Sequence, residues 1–185
     1  GKVLDYEEAR STEQIKEKFG GYVKTFRTPP DDVFARGFEA GSVTDDFSLA
    51  YCTAEAIIQN NGKVTDKCAE NALLNWSKTP YIRLAGPTTI AAIDKLKGIE
   101  MPSKYDFLTV DNAKGSNGSA MKISPAGLIS RGNIDTAIHN AIILCMPTHG
   151  NSTSLSGACA VAAAVAKALD PNATVNDLIE AGLYG

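Results

Sequence analysis

The sequence predicts an all-α fold on three observations. Several stretches carry apolar residues at helical spacing, polar residues suited to helix starts precede them, and no alternating β-branched segment with hairpin turns occurs. The chain has 185 residues, of which 44% are hydrophobic and 21% are charged, as is ordinary for a soluble globular protein. That length suffices for one domain with a buried core, so we expect residues 1–185 to form a single domain.

The predicted helices follow one another along most of the chain. Ser11 and Gln14 match a capping box before a first short helix, which ends at Gly20-Gly21. A long irregular segment, 22–41, follows. Thr65 is suited to cap a helix that runs through Trp76. The other predicted helices cover residues 47–60, 88–97, 133–146 and 155–169, with a last one from Thr174.

Composition excludes several classes of function. The formal net charge is −3 without a block of Lys or Arg, which argues against a nucleic-acid partner. No apolar run approaches the roughly 20 residues that span a bilayer, so we expect no membrane partner. The N-terminus lacks the apolar region of a signal peptide. The four cysteines stand at 52, 68, 145 and 159 without a C-x-x-C pair, which favours buried thiols and a cytoplasmic location.

Two adjacent carboxylates, Asp45 and Asp46, follow Thr44 where a loop enters an apolar helix. They fit helix capping, because acidic and hydroxyl side chains satisfy the first N–H groups and complement the helix dipole. One acidic cap suffices, however, and neighbouring carboxylates repel each other unless a cation holds them. Carboxylate and hydroxyl oxygens are ligands that Mg²⁺ prefers. Capping and metal binding are therefore both open at this position.

A second candidate site is the segment 111–121, which is crowded with small and turn-forming residues. The N–H groups of such a loop are suited to cradle a phosphate, and glycine lets a ligand approach the backbone closely. An ordinary surface loop has the same composition. The segment alone does not decide between these two interpretations.

The two histidines lie in different settings. His139 stands within an apolar helix, which predicts a packing role. His149 follows Pro147 at a helix end and precedes Gly150 and Asn151. That position suits either a helix-terminal cation or a group that faces a ligand.

Taken in order, these segments resemble the ADP-ribosylglycohydrolase family. Thr44-Asp45-Asp46 is similar to the T-D-D metal motif of that family, and residues 117–125 are similar to its N-G-A-A-M-R-x-x-P loop. Thr148-His149 is similar to its T-H pair. Gly86-Pro87-Thr88-Thr89 is similar to a G-x-T-T element that precedes a helix. The resemblance extends over essentially the whole chain.

The resemblance implies a compact orthogonal helical domain with two Mg²⁺ or Mn²⁺ ions. The family cleaves the bond at the ribose anomeric carbon of ADP-ribosylated proteins or small ADP-ribose conjugates, through an oxocarbenium-like transition state that the metals stabilise. Thr44, Asp45 and Asp46 would be metal ligands, and both acids would also be catalytic. Residues 1–5 are similar to G-K-x-x-E, which makes Asp5 a further catalytic candidate. The substrate would contact Gly115, Ser116, Asn117, Gly118, Ser119, Met121 and His149.

The sequence departs from the family pattern at three places. Phe47 stands where many members have a hydroxyl residue after T-D-D. Lys122 replaces the arginine of the loop motif and lacks its bidentate fork. The C-terminal G-D-x-D-[ST] motif, which supplies the other metal ligands, is absent. We therefore expect the chain to be truncated at both ends relative to the family and to be inactive alone. We also expect exposed apolar helix faces, which would favour self-association or be covered by a missing C-terminal segment.

Two other classes of function stay open. A dinuclear-metal hydrolase of nucleosides or other ribosyl N-glycosides would not need a diphosphate cradle. A non-catalytic ADP-ribose-binding or crystallin-like module would not need the missing acids. For the loop itself, we expect Gly118→Val to abolish ADP-ribose binding and to leave thermal stability nearly intact.

Overall fold

The computed structural model describes residues 11–22, 24–31, 33, 35–99 and 115–185. These residues contain eight α-helices and no strand, which confirms the predicted all-α fold. Two short 3-10 helices, Pro80–Leu84 and Ala120–Lys122, occur between them. The α-helices are α1 Thr12–Phe19, α2 Asp45–Gln59, α3 Asp66–Trp76, α4 Pro87–Leu96, α5 Ser124–Ile129, α6 Ile134–Cys145, α7 Ser152–Lys167 and α8 Val175–Tyr184.

Side-chain caps fix where most of these helices begin. Ser11 and Gln14 form the predicted capping box of α1, and Thr174 and Asp177 form another at α8. Thr65 accepts a hydrogen bond from the Cys68 N–H at 3.2 Å, as predicted. At α7 the Asn151 Oδ1 accepts from the Ser154 N–H at 2.9 Å, so this helix starts three residues before the predicted Leu155.

The chain divides into two compact units, residues 1–45 and residues 46–185. The described part of the first unit holds α1 followed by irregular backbone, which confirms the long irregular segment. Within it, the Arg27 guanidinium lies 4.9 Å from the centre of the Phe19 ring. The second unit holds most of the helices and the main hydrophobic core.

Helix α7 lies at the centre of the second unit. It packs against α5, α6 and α8, and its Ala158, Ala162, Ala163 and Ala166 are fully buried. Small side chains let the neighbouring helices come close. A Cβ at Gly127 in α5 would lie 2.6 Å from the Ala162 carbonyl oxygen, so only glycine fits there.

A second core cluster joins α2, α3 and α4. It consists of the buried Leu49, Cys52, Leu73, Trp76 and Ile93, with Met121 among the partly buried residues packed against it. The Trp76 indole donates a hydrogen bond to the Ser48 hydroxyl at 2.9 Å, which satisfies the only polar atom of this fully buried ring. All four cysteines are buried and free, as predicted.

His139 corrects the prediction of a packing role, because its side chain is exposed. The buried face of α6 is formed by Ala137, Ala141, Leu144 and Cys145. At about 100° per residue, His139 is rotated by about 200° from Ala137 and therefore lies on the opposite face.

None of the helices in the described ranges combines the length and apolar character needed to cross a bilayer.

Candidate functional site

Thr44, Asp45 and Asp46 stand at the start of α2. The Thr44 side chain is buried, Asp45 is partly buried and Asp46 is exposed. Helix α2 begins at Asp45, so both acids are first-turn residues, where their negative charge complements the helix dipole. Asp45 is the last residue of the first compact unit and Asp46 the first residue of the second.

The donor set at this position fits a hard divalent cation in chemical type. It offers two carboxylates and one hydroxyl, which are oxygen ligands of the kind that Mg²⁺ and Mn²⁺ take. The described residues contain no group of three or more His, Cys, Asp or Glu side chains that could hold a metal. Asp5, the other acidic candidate, lies outside the described residues.

The second candidate site is a loop fastened to the first turn of α7. Ser116 and Ser154 exchange two hydrogen bonds: the Ser116 N–H donates to the Ser154 Oγ, and the Ser154 hydroxyl donates to the Ser116 carbonyl, each at 3.2 Å. The buried Ser119 hydroxyl donates to the Ser154 carbonyl oxygen at 2.8 Å. Three hydrogen bonds therefore hold residues 116–119 on the start of one helix.

His149 lies directly behind this loop. The N–H groups of Thr148 and His149 both donate to the Cys145 carbonyl, at 3.0 and 2.7 Å, which turns the chain at the end of α6. The turn buries the His149 ring almost completely, with 1% of its surface exposed. Its Nε2 lies 2.8 Å from the Ser116 Oγ, and the Gly118 N–H donates to the same oxygen at 3.2 Å.

The surroundings of His149 favour a neutral ring. Burial, and then the nearby Lys122, lower the pKa of His149 from 6.5 to about 4. A general base works best with a pKa near the working pH, and a neighbouring cation opposes the imidazolium that proton transfer would form. The Ser116–His149 pair is therefore suited to orient the serine hydroxyl and poorly suited to activate it as a nucleophile. The Nδ1 atom of the ring is buried and has no hydrogen-bond partner among the described residues.

Gly118 is required for the close fit between the loop and this ring. A Cβ at Gly118 would lie 2.8 Å from the His149 Cε1 and 2.9 Å from its Nε2, which is closer than real side chains come. Gly115 is less constrained, since a Cβ there would lie 3.4 Å from the Thr153 side chain. Glycine at position 118 thus serves packing, besides any approach of a ligand.

The other predicted contact residues differ in what they offer a ligand. Ser116 and Asn117 are exposed, while Ser119 is buried. Met121 packs against the second core cluster. The structure thus brings the loop, its Ser116 hydroxyl and the buried His149 together. Contact between the substrate and these residues stays a prediction.

Sequence reasoning did not identify Ser154 or the hydrogen bond of Lys122. The Lys122 ammonium is buried and donates to the Thr148 Oγ1 at 2.9 Å. An available signal for Ser154 was its position three residues after Asn151, the usual spacing between an N-cap and its N–H partner. Nothing local to Lys122 indicated that its side chain turns inward.

Comparisons with known proteins agree with the resemblance seen in the sequence. The family model described as ADP-ribosylglycohydrolase matches residues 4–184. The chain is 26% identical over 161 residues to the uncharacterized protein YegU of Escherichia coli, covering 85% of this chain and 47% of that protein. It is 28% identical over 160 residues to an uncharacterized protein of Archaeoglobus fulgidus, covering 86% and 48%. The chain thus spans about half the length of the curated relatives it matches. Since the family model covers nearly the whole chain, the protein belongs to the ADP-ribosylglycohydrolase family.

Proposed function

We propose that this chain takes part in hydrolysis of the glycosidic bond at the ribose anomeric carbon of ADP-ribosylated proteins or small ADP-ribose conjugates. Membership of the ADP-ribosylglycohydrolase family supports the reaction class. The observation that carries the proposal is the loop around Ser116 and Gly118, which is held on the start of α7 in front of the buried His149.

The proposed role of the loop is to hold the diphosphate or the distal ribose of the substrate. Exposed Ser116 and Asn117 offer a hydroxyl and an amide, which are suited to hydrogen bonds with phosphate and ribose oxygens. The fixed backbone reduces the loss of conformational freedom when a ligand binds. In this proposal His149 contributes indirectly, because its ring orients the Ser116 hydroxyl and does not contact the ligand.

The proposed role of Thr44, Asp45 and Asp46 is to hold Mg²⁺ or Mn²⁺. Such ions, when bound, stabilise negative oxygen atoms and lower the pKa of a bound water. In this chain the two carboxylates would supply negative charge at the ion, and the Thr44 hydroxyl would supply a neutral oxygen ligand. Asp45 and Asp46 are also the proposed catalytic acids, together with Asp5.

A second candidate is a module that binds ADP-ribose without cleaving it. One observation favours it: no cluster of three or more metal-binding side chains occurs in the described residues. Both candidates use the same loop. They differ in whether the chain turns substrate over.

The test is an assay of product formation. The 185-residue chain is incubated with Mg²⁺ or Mn²⁺ and with arginine- or serine-linked ADP-ribose, and free ADP-ribose is quantified. Metal-dependent release that is lost in both Asp45→Asn and Asp46→Asn supports the hydrolase. Asp66→Asn is the matched control, because Asp66 is also an acid in the first turn of a helix. Tight binding of ADP-ribose without release would favour the binding module, and neither binding nor release would contradict both.

A further inference from the structure

Lys122 is a buried cation whose side chain donates a hydrogen bond to a neutral partner. It ends the short 3-10 helix Ala120–Lys122, and only 3% of its surface is exposed. Its ammonium donates to the Thr148 Oγ1 at 2.9 Å, and the Thr148 hydroxyl donates onward to the Cys145 carbonyl oxygen at 3.3 Å. The amine thus has a defined place in the fold.

Stability alone does not account for a lysine at this position. Removing an ammonium from water is unfavourable unless an opposite charge compensates it. Within the described ranges, no carboxylate pairs with Lys122, and burial lowers the pKa of its amine. The titratable groups that influence Lys122 carry no charge near pH 7, because burial raises the pKa of Cys145 to about 11 and lowers the pKa of His149 to about 4.

A continuous chain of contacts leads from Lys122 to the loop. Thr148, which receives the lysine hydrogen bond, directly precedes His149, and the ring of His149 lies 2.8 Å from the Ser116 Oγ. The same Ser116 oxygen accepts from the Gly118 N–H. Any displacement of the Thr148–His149 turn would therefore change the position of the Ser116 hydroxyl.

We propose that Lys122 is a positioning residue of the Ser116–Gly118 loop. It holds the Thr148–His149 turn behind Ser116, and its charge, which lacks a carboxylate partner in the part of the chain described, favours a diphosphate on the loop. This inference rests on the proposed function, because it takes the diphosphate of ADP-ribose as the anion. The ligand then supplies the negative charge that the described residues do not place beside Lys122.

Two substitutions separate positioning from ordinary structural support. Lys122→Met keeps much of the side-chain volume and removes the charge and the hydrogen bond. Lys122→Arg keeps both and introduces the residue of the N-G-A-A-M-R motif. We expect the Met variant to unfold at the same or a higher temperature than wild type, because it no longer buries a charge for which the described residues offer no carboxylate. Its Kd for ADP-ribose in calorimetry should rise roughly tenfold, because the variant loses both the support of the Thr148–His149 turn and the positive charge near the loop. The Arg variant should bind with near wild-type affinity.

Imidazole NMR signals of His149 provide a readout that needs no ligand. With the neighbouring cation removed, the pKa of His149 should rise in the Met variant and stay low in the Arg variant. His139→Gln identifies the signals of the other histidine.

Wild-type ADP-ribose affinity in the Met variant, or unchanged His149 signals, would overturn the proposal. So would a Met variant that loses both thermal stability and affinity while the Arg variant restores neither. If wild type itself does not bind ADP-ribose, the proposed function fails, and the His149 signals still decide the role of Lys122.

Discussion

The Oγ of Ser116 lies 2.8 Å from the Nε2 of His149, although 33 positions separate the two residues in the chain. One partner is exposed and the other is almost fully buried. The serine also accepts the Gly118 N–H, so one hydroxyl joins the loop to the turn after α6. This contact makes the buried histidine a support for the loop, with the serine as the group that faces solvent.

Gly118→Ala should destabilise the protein, because its new Cβ would lie within 3 Å of the His149 ring. We expect a loss of about 1–3 kcal/mol in the free energy of unfolding, as for an overpacked core. Gly157→Ala is the matched control: it lies on an exposed position of α7 with no atom within 4 Å of its added Cβ. That change should stabilise the helix by about 0.5–1 kcal/mol. Chemical denaturation measures both, and equal effects in the two variants would contradict the packing at Gly118.

The same distance corrects an expectation drawn from the sequence. Gly118→Val was expected to remove ADP-ribose binding while leaving thermal stability nearly intact. A valine side chain at this position would collide with the His149 ring, so stability should fall together with binding. A loss of binding in Gly118→Val therefore does not by itself locate the ligand. Ser116→Ala is the better probe, because it adds no atom beside the His149 ring, and the unfolding temperature shows how far the lost Ser116–His149 contact affects the fold.

Local signals in the sequence predicted the fold well, while the site depends on contacts that are distant in the chain. Ser11, Thr65 and Thr174 each accept a hydrogen bond from the N–H three residues further on, so the sequence pattern alone predicted these caps. The short helix α5 was not predicted, because its Ser-Pro start and six residues give little periodicity. The hydrogen bonds between Ser116 and Ser154 span 38 positions, and no local pattern encodes them.

The two histidines show that the burial of a single residue also depends on contacts that are distant in the chain. An apolar helical context predicted a packing role for His139. The loop context left His149 open between a helix-terminal cation and a ligand-facing group, and the family resemblance implied contact with the substrate. The structure exposes the first and buries the second. Which face of α6 meets the core, and what covers the turn after it, follow from tertiary packing.

The pKa of His149 makes stability depend on pH. The folded pKa of about 4 lies below the ordinary 6.5, so the unfolded chain binds the extra proton first as pH falls. The contribution of the neutral His149 ring to the free energy of unfolding is fully present above about pH 6.5 and is lost as pH falls to about 4. In denaturation across this range, His149→Gln should show a shallower loss than wild type. His139→Gln, at an exposed site, should follow wild type, and identical pH profiles for wild type and His149→Gln would contradict the burial argument.

Divalent cation binding should depend on Asp45 and Asp46 beyond their effect on helix α2. In calorimetry with Mg²⁺ or Mn²⁺ alone, we expect each Asn variant to weaken binding roughly tenfold or more, because a charged ligand is lost. Asp66→Asn, at the equivalent turn of α3, should leave metal affinity unchanged. Unchanged affinity in both Asp45→Asn and Asp46→Asn would leave the pair with a capping role only.

Helix α8 should promote self-association. Its Val175, Ile179 and Leu183 recur every four residues and are all exposed. Sedimentation velocity at increasing protein concentration should show a shift to larger species. Ile179→Lys should reduce that shift. Asn172→Lys, which adds the same charge at an exposed position of the preceding turn, is the matched control and should leave the shift unchanged. A monomer at every concentration would contradict the prediction.

The most direct test of the proposed function is a titration that measures whether the loop of residues 115–118 binds a diphosphate. Backbone amide NMR signals of residues 115–118 and Ser154 are followed while ADP-ribose is added, and adenosine serves as the ligand without phosphates. We expect saturable shifts at these residues with ADP-ribose and weak or no shifts with adenosine. ADP-ribose affinity should fall markedly in Ser116→Ala. It should not fall in Ser156→Ala, because Ser156 is an exposed serine on the same helix as Ser154. Equal responses to the two ligands, or wild-type affinity in Ser116→Ala, would contradict it.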